Sequence, residues 1–229
     1  MQFIDAADFS ACRFPQTLAA NTIHLWFFPH WPGASHAVAQ SPLLLGLLAS
    51  YAHRPVARLS IEHGAHGKPR LRDIALEFNL SHSASALLLG ISQQQPLGVD
   101  IEARRRERPV LELARRWFDA DEVAALESLP ESLRQAAFMR LWSCKEAVLK
   151  AQGRGVGYGL NRATFDLDTS GAIASFRGVV GESTSPAWQV VGLTPAANVT
   201  GALAWCGPAH SVSAFVADTD YIRTIVADL

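Results

Sequence analysis

Leu141-Trp142-Ser143-Cys144-Lys145-Glu146-Ala147-Val148-Leu149-Lys150 is the stretch on which the reading of this chain turns. At about 100° per residue, Phe138, Leu141, Trp142, Val148 and Leu149 share one apolar stripe, so the segment reads as a helix with a buried face. Lys145 falls near the middle of that stripe, where a charge is costly unless it is paired. Glu146 and Lys150 lie side by side along its flank at i, i+4, a pair worth only about 0.2–0.5 kcal/mol on an exposed helix. A lysine inside the buried stripe beside that pair points to a cationic and metal-binding wall facing an anionic ligand. The helix is expected from about Ser132 to Gln152, stopped by Gly153, Gly155, Gly157 and Gly159.

Upstream, Gly98-Val99-Asp100-Ile101-Glu102 has strand periodicity, which sends Val99 and Ile101 to one face and Asp100 and Glu102 to the other. Two carboxylates on neighbouring same-face positions repel by ~1 kcal/mol in water and ~4 kcal/mol at an effective dielectric of 20, for a 4 Å separation. Two readings fit. Either the strand ends at solvent and its acids pair with Arg104 to Arg106, or a hard dication with oxygen ligands offsets the repulsion. The helix with Glu146 favours the second, giving a split acidic site of Asp100, Glu102 and Glu146.

Around these segments the chain alternates strand and helix signals. Thr22 to Phe28 alternates Ile23, Leu25 and Phe27 with His24 and Trp26, and Pro29, Pro32 and Gly33 close it. Ser41 is expected to cap a helix with Pro42 in its first turn, running to about Tyr51. His63 to Arg70 is loop-like. Leu87 to Ile91 and Leu97 to Ile101 read as strands joined by a hairpin connection at Ser92 to Pro96. Asp119 with Glu122 has capping-box spacing for a helix that ends near Leu129-Pro130. Short strands are expected over Thr164 to Leu167, Trp188 to Leu193, Gly201 to Trp205 and Val212 to Ala217. The ingredients fall into two similar α+β halves, residues 1–103 and 104–229.

Composition narrows the function. The 229 residues are 49% apolar and 18% charged with a net charge of -1, so no global bias argues for nucleic acid or an anionic membrane. The longest apolar run, Leu43 to Ala49, is far short of the ~20 residues of a membrane span. The N-terminus carries Asp5 and Asp8 and no secretion pattern. Cys12, Cys144 and Cys206 have no metal-ligand spacing and fit reduced thiols in the cytoplasm. Of 20 Lys and Arg residues, only Lys68, Lys145 and Lys150 are lysines. An ammonium is a compact point charge where a guanidinium is a planar fork, so positions that retain lysine are worth following.

With these residues in view, the chain resembles the 4'-phosphopantetheinyl transferases of the Sfp type. Gly98 to Glu102 resembles the family pattern G-[VI]-D-[IV]-E, and Trp142 to Lys150 resembles W-[ST]-x-K-E-[SA]-x-x-K, in that order and some forty residues apart. Gly67-Lys68-Pro69, Asn79-Leu80-Ser81-His82-Ser83 (a Ser-flanked turn in this reading) and Phe118 with Glu122 resemble three further elements. All five occur in order between residues 67 and 150, and every lysine falls inside one of them.

The resemblance implies an α+β fold of two halves related by a pseudo-twofold, with the active site in the cleft between them. It implies Mg²⁺-dependent transfer of 4'-phosphopantetheine from coenzyme A to a serine of an apo acyl or peptidyl carrier protein, with release of 3',5'-ADP, the activity of a holo-[acyl-carrier-protein] synthase. Asp100, Glu102 and Glu146 would hold the metal. Glu146 or Glu122 would be the base, and Lys150 would stabilise the transferring phosphoryl. Lys68, Pro69, Ser81, His82, Lys145 and Lys150 would line the coenzyme, with a pairing role in the core equally open to Lys145. Coenzyme A and the carrier would be the partners of a cytoplasmic monomer (a pseudodimer), with neither nucleic acid nor membrane among them. The chain departs from the family in having no basic residue between Ala37 and Ala52, where relatives often grip the 3'-phosphate, so either Arg13, Arg54 or Arg58 substitutes or discrimination for coenzyme A is weaker. Arg104 to Arg108 is either a carrier-facing patch or a solvated linker, and Trp31, Trp117 and Trp188 read as core or rim aromatics. Two other functions stay open: a generic Mg²⁺-dependent phosphohydrolase on the same carboxylates, and a degenerate homologue that binds carriers without transfer.

Overall fold

The strand Thr22–Phe28 buries both faces, Ile23, Leu25 and Phe27 on one and His24, Trp26 and Phe28 on the other, so it must lie between two layers. The computed structural model describes residues 1–12, 17–31, 41–104, 108–154, 159–179 and 186–217. In chain order the elements are β1 (Gln2–Asp5), β2 (Phe9–Cys12), β3 (Thr22–Phe28), α1 (Pro42–Ala52), β4 (Ile61–His63), β5 (Pro69–Leu71), β6 (Leu76–Ser83), β7 (Ala86–Gln93) and β8 (Leu97–Ala103). There follow α2 (Val110–Trp117), α3 (Ala120–Ser128), α4 (Glu131–Ala151), β9 (Ala163–Leu167), β10 (Ile173–Val179), β11 (Trp188–Ala196), β12 (Val199–Cys206) and β13 (Ser211–Ala217).

Two large sheets form, one in the order β2-β13-β3-β7-β6 and one in the order β1-β11-β12-β8, beside the two-stranded ribbons β9–β10 and β4–β5. The two large sheets stack face to face over a core of Leu25, Leu88, Leu97, Val99, Leu203 and Trp205. Helix α1 covers the outer face of the five-stranded sheet through Leu44, Leu47 and Leu48. The outer face of the four-stranded sheet is covered by α4, with α2, α3 and the β9–β10 ribbon packed around it. The result is an α+β fold of four layers. Each half runs through a hairpin and then a third strand, β6–β7 then β8, and β11–β12 then β13. In both, the third strand leaves its own hairpin for the other sheet: β8 pairs with β12, and β13 inserts between β2 and β3. A division after residue 103 therefore marks the end of β8 in chain order, while the sheets cross it by exchanging strands.

Three expectations are corrected. Ser92 to Pro96 does not close a hairpin, because β7 pairs with β3 and β6 while β8 pairs with β12. β7 and β8 stack instead; a Cβ on Gly90 would come within 2.6 Å of Leu97 and 2.9 Å of Val99. The Asn79 to Ser83 element is the end of strand β6, not a turn. Pro42 does open α1, but the Ser41 side chain makes no cap bond. The capping box of α3 is complete, with Glu122 Oε2 accepting from Asp119 N at 3.0 Å. Gly153, at φ +70, ends α4. Gly155, Gly157, Pro32, Gly33, Arg13 and Arg105 to Glu107 lie outside the described residues. No described helix is long and apolar enough to cross a membrane.

Candidate active site

β6 is an edge of one sheet and β8 an edge of the other, and they meet through side chains rather than a backbone ladder. Asn79 Oδ1 accepts from Val99 N at 2.8 Å, Ser81 Oγ from Ile101 N at 3.3 Å, and Ser83 Oγ from Ala103 N at 3.0 Å. Lys68 Nζ donates to Leu97 O at 2.8 Å, so four side chains cap the otherwise open edge of β8. The other face of β8 carries the acids. Gly98 lies so close beneath α4 that an added Cβ would sit 2.0 Å from Ala147 O and 2.4 Å from Ala151 N. This approach brings Glu146 and Lys150 to Asp100 and Glu102.

Lys150 Nζ donates to Asp100 Oδ1 at 2.7 Å and to Ser81 Oγ at 3.1 Å. Ser81 Oγ donates to Asp100 Oδ1 at 2.9 Å, and Ser83 Oγ to Glu102 Oε2 at 3.2 Å. Asp100 and Glu146 are only 5% and 8% exposed, so their charges are poorly solvated. Burial, then the charges of Asp100 and Glu102, push the Glu146 carboxyl up to about 7 against the opposing pull of Lys150. Burial and Asp100 also raise Glu102, with Arg108, Ser83 and Lys150 opposing.

The donor set suits a hard dication, since every candidate ligand is a carboxylate oxygen. Asp100 Oδ2 is buried with no hydrogen-bond partner, an orphaned acceptor in the middle of the cluster. As the side chains stand, however, no three acidic, His or Cys groups among the described residues converge as a ready coordination shell. The acids are brought together by the packing of α4 on β8, against their mutual repulsion, and Lys150 supplies the countercharge to Asp100.

Lys68, Pro69, Glu146, Lys150, Gly153 and Arg154 share the lining of a cavity of about 220 Å³, with His66 at its rim. It is rich in cationic groups and smaller than the roughly 300 Å³ at which drug-sized sites begin, which suits phosphates better than a whole coenzyme. A second cavity, of about 230 Å³, has Glu102 in its wall together with Met1, Phe3, Arg104 and Met139. Arg54 and Arg58 line neither. His82 is exposed on β6, on the opposite side of the strand from Ser81.

Glu122 and Lys145 are not brought to this site. Their side chains are fully buried in the core of the second half, 2.6 Å apart. Lys145 Nζ also donates to Leu160 O at 3.0 Å and Ala163 O at 2.5 Å, so its three donors are used. Glu122 Oε1 accepts from Phe165 N at 2.9 Å. The expectation that Lys145 lines the coenzyme is thus corrected to the pairing role, and Glu122 has no face open to a substrate proton. The sequence reading also passed over Asn79 and Ser83. Their signal was the period of two in Asn79, Ser81 and Ser83, which a turn reading conceals.

A family model described as the 4'-phosphopantetheinyl transferase superfamily matches residues 96–205, the span from β8 to β12. The chain is 32% identical over 169 residues to the 4'-phosphopantetheinyl transferase HetI of Nostoc sp., covering 72% of this chain and 68% of that protein. It is 40% identical over 119 residues to the 4'-phosphopantetheinyl transferase psf-1 of Bacillus pumilus, covering 51% of this chain and 49% of the relative. Against the 4'-phosphopantetheinyl transferase Sfp of Bacillus subtilis it is 32% identical over 111 residues, 48% of each chain. The match thus spans about two thirds of HetI and about half of the other two. Taken with a split acidic site bridging β8 and α4, these likenesses establish that the chain belongs to the 4'-phosphopantetheinyl transferase superfamily.

Proposed function

We propose that the chain transfers the 4'-phosphopantetheine group of coenzyme A to a serine hydroxyl of an apo acyl or peptidyl carrier protein, releasing 3',5'-ADP. The observation that carries this reading is the meeting of Asp100 and Glu102 on β8 with Glu146 and Lys150 on α4, beside a cation-lined cavity of phosphate size. Bound at Asp100, Glu102 and Glu146, Mg²⁺ would neutralise charge on the pyrophosphate. Lys150 balances charge on the transferring phosphoryl and on the departing 3',5'-ADP. Glu146, whose carboxyl exchanges its proton near neutrality, is suited to accept the serine proton. Lys68, with Pro69 beside it, takes the nucleotide end. The second cavity, with Glu102 in its wall, is the approach assigned to the incoming serine. Arg104 and Arg108, lining a groove next to Glu102, suit an acidic carrier surface. We place the reaction in the cytoplasm, with the two halves of a monomer supplying the whole site.

Incubation with MgCl₂, coenzyme A and an apo carrier domain should add one phosphopantetheine to the carrier mass. Glu146→Gln should slow this by at least about 100-fold. Full activity of Glu146→Gln would remove the assignment. Coenzyme A breakdown without loading would mark a phosphohydrolase, and carrier binding with neither reaction a non-transferring homologue.

The raised Glu146 carboxyl also sets a pH dependence. Unfolded, this group loses its proton near 4.5; folded, it keeps it to about 7. Its contribution to stability is therefore full below 4.5 and is lost as pH rises through 7. A cation needs the ionised form, so the rise in Tm on adding MgCl₂ should be larger at about pH 8 than at about pH 6. Equal rises at both would exclude Glu146 from the ligands.

A further inference from the structure

We propose that Ser83 is a positioning residue for the acidic site, its hydroxyl selecting which oxygen of Glu102 is offered to a divalent cation. The inference rests on the reading of the site as one that binds such a cation.

Ser81 and Ser83 stand two residues apart on β6, and Asp100 and Glu102 stand two apart on β8. Each serine oxygen accepts the N–H that follows one carboxylate, Ile101 N at 3.3 Å and Ala103 N at 3.0 Å. A hydroxyl has one proton, and an oxygen already accepting from the backbone is free to direct that proton at the neighbouring acid. Ser81 points it at Asp100 Oδ1 (2.9 Å) and Ser83 at Glu102 Oε2 (3.2 Å). The same device is thus used twice, at the same register, on the two acids of one strand.

The consequence is a choice of oxygen. Asp100 Oδ1 is taken by Ser81 and Lys150, leaving Oδ2 buried and without a partner. Glu102 Oε2 is taken by Ser83 and faced by Arg108 Nη2 at 3.7 Å, leaving Oε1 as the ligand oxygen. The two acids differ in how firmly they are held. Asp100 has a lysine at 2.7 Å as well as its serine. Among the described residues Glu102 has, besides Ser83, only the distant Arg108, whose side chain is 38% exposed, so Ser83 is its one close partner there. Without Ser83, the longer glutamate is free to swing toward Arg108 and water.

The test is Mn²⁺ binding to the full chain, followed by water-proton relaxation without coenzyme or carrier. Ser83→Ala should weaken Mn²⁺ binding by about 10–100-fold, the usual cost of removing a group that orients a metal ligand. Ser83→Thr keeps the hydroxyl and should stay within a few-fold of the parent. In a Glu102→Gln background, Ser83→Ala should add nothing, since the oxygen it orients is gone. Asn79→Ala breaks a neighbouring bond of the same seam without touching either acid, and should leave Mn²⁺ affinity near that of the parent. If Ser83→Ala proves unfolded by circular dichroism, the Thr variant and the Asn79 control still decide: a Thr variant as weak as Glu102→Gln, or Asn79→Ala as weak, overturns the assignment. Unchanged binding in a folded Ser83→Ala also overturns it, and so does an equal loss in the Glu102→Gln background. Failure of the parent to bind Mn²⁺ would overturn the acidic-site reading with it, whereas a Ser83 failure alone leaves carrier loading standing.

Discussion

Gly98→Ala is expected to lower stability by about 3 kcal/mol or more and to abolish carrier loading, because the new methyl group has no space that a side-chain movement can open. Its Cβ would fall 2.0 Å from Ala147 O, 2.4 Å from Ala151 N and 3.0 Å from Lys150 C, all backbone atoms of α4. The helix must lift from β8, and the residues that lift are those around Glu146 and Lys150. Stability and chemistry are therefore lost together. Two other glycines calibrate the effect. At Gly90 the Cβ meets only the ends of Leu97, Val99 and Leu25, which can rotate, so Gly90→Ala should cost less. At Gly64 the nearest atom is Lys68 O at 3.7 Å, and Gly64→Ala should be close to neutral. Urea unfolding of the three variants should give that order. A Gly98→Ala protein within about 1 kcal/mol of the parent would show that α4 and β8 are not in this contact.

The same contact shows what the sequence could and could not say. Periodicity located β3, α4 and the strands β9, β11, β12 and β13, and cap signals located α1 and α3, while β10 was missed. The acids of β8 and the pair on α4 were legible for the same reason: period two sent Asp100 and Glu102 to one face, and i, i+4 put Glu146 beside Lys150. The exchange of β8 and β13 between sheets was not legible. Pairing of Asp100 with Ala202, or of Ser213 with His24, joins residues a hundred or more apart, and no local pattern encodes it. Short edge pieces such as β1, β2, β4 and β5 were missed because three or four residues carry too little pattern. Ser81 to Ser83 was misread because serines beside a histidine resemble turn chemistry, whereas here their hydroxyls replace a backbone ladder between two sheets. Gly98 stood in the quoted motif, yet its reason, a helix backbone passing over it, is visible only in three dimensions.

Lys145 tests how far a motif residue must touch the reaction. Lys145→Met is expected to destabilise the chain by about 3–5 kcal/mol, since it leaves Glu122 buried with its charge uncompensated. Leu160 O and Ala163 O also lose their donor. The ammonium lies 4.8 Å from the centre of the Phe118 ring and 5.9 Å from that of Phe165, so attraction to the aromatic faces is lost too. Burial lowers Lys145 and raises Glu122, while each partner's charge pulls the other back toward its ionised form, so each ion depends on the other. Removing both charges should therefore cost less than the two single changes added together. The double variant Glu122→Gln with Lys145→Met should recover at least about 1 kcal/mol relative to additivity in urea unfolding. Carrier loading by that double variant then separates two roles. If the pair only holds α3, α4 and β9 together, the folded double variant keeps its KM for coenzyme A and most of its rate. If Glu122 takes the serine proton, the rate falls by about 100-fold or more while stability is largely restored. The geometry favours the first outcome, because the carboxyl that would have to act as base is held by Lys145, Phe165 N and Asp119 N and has no open side.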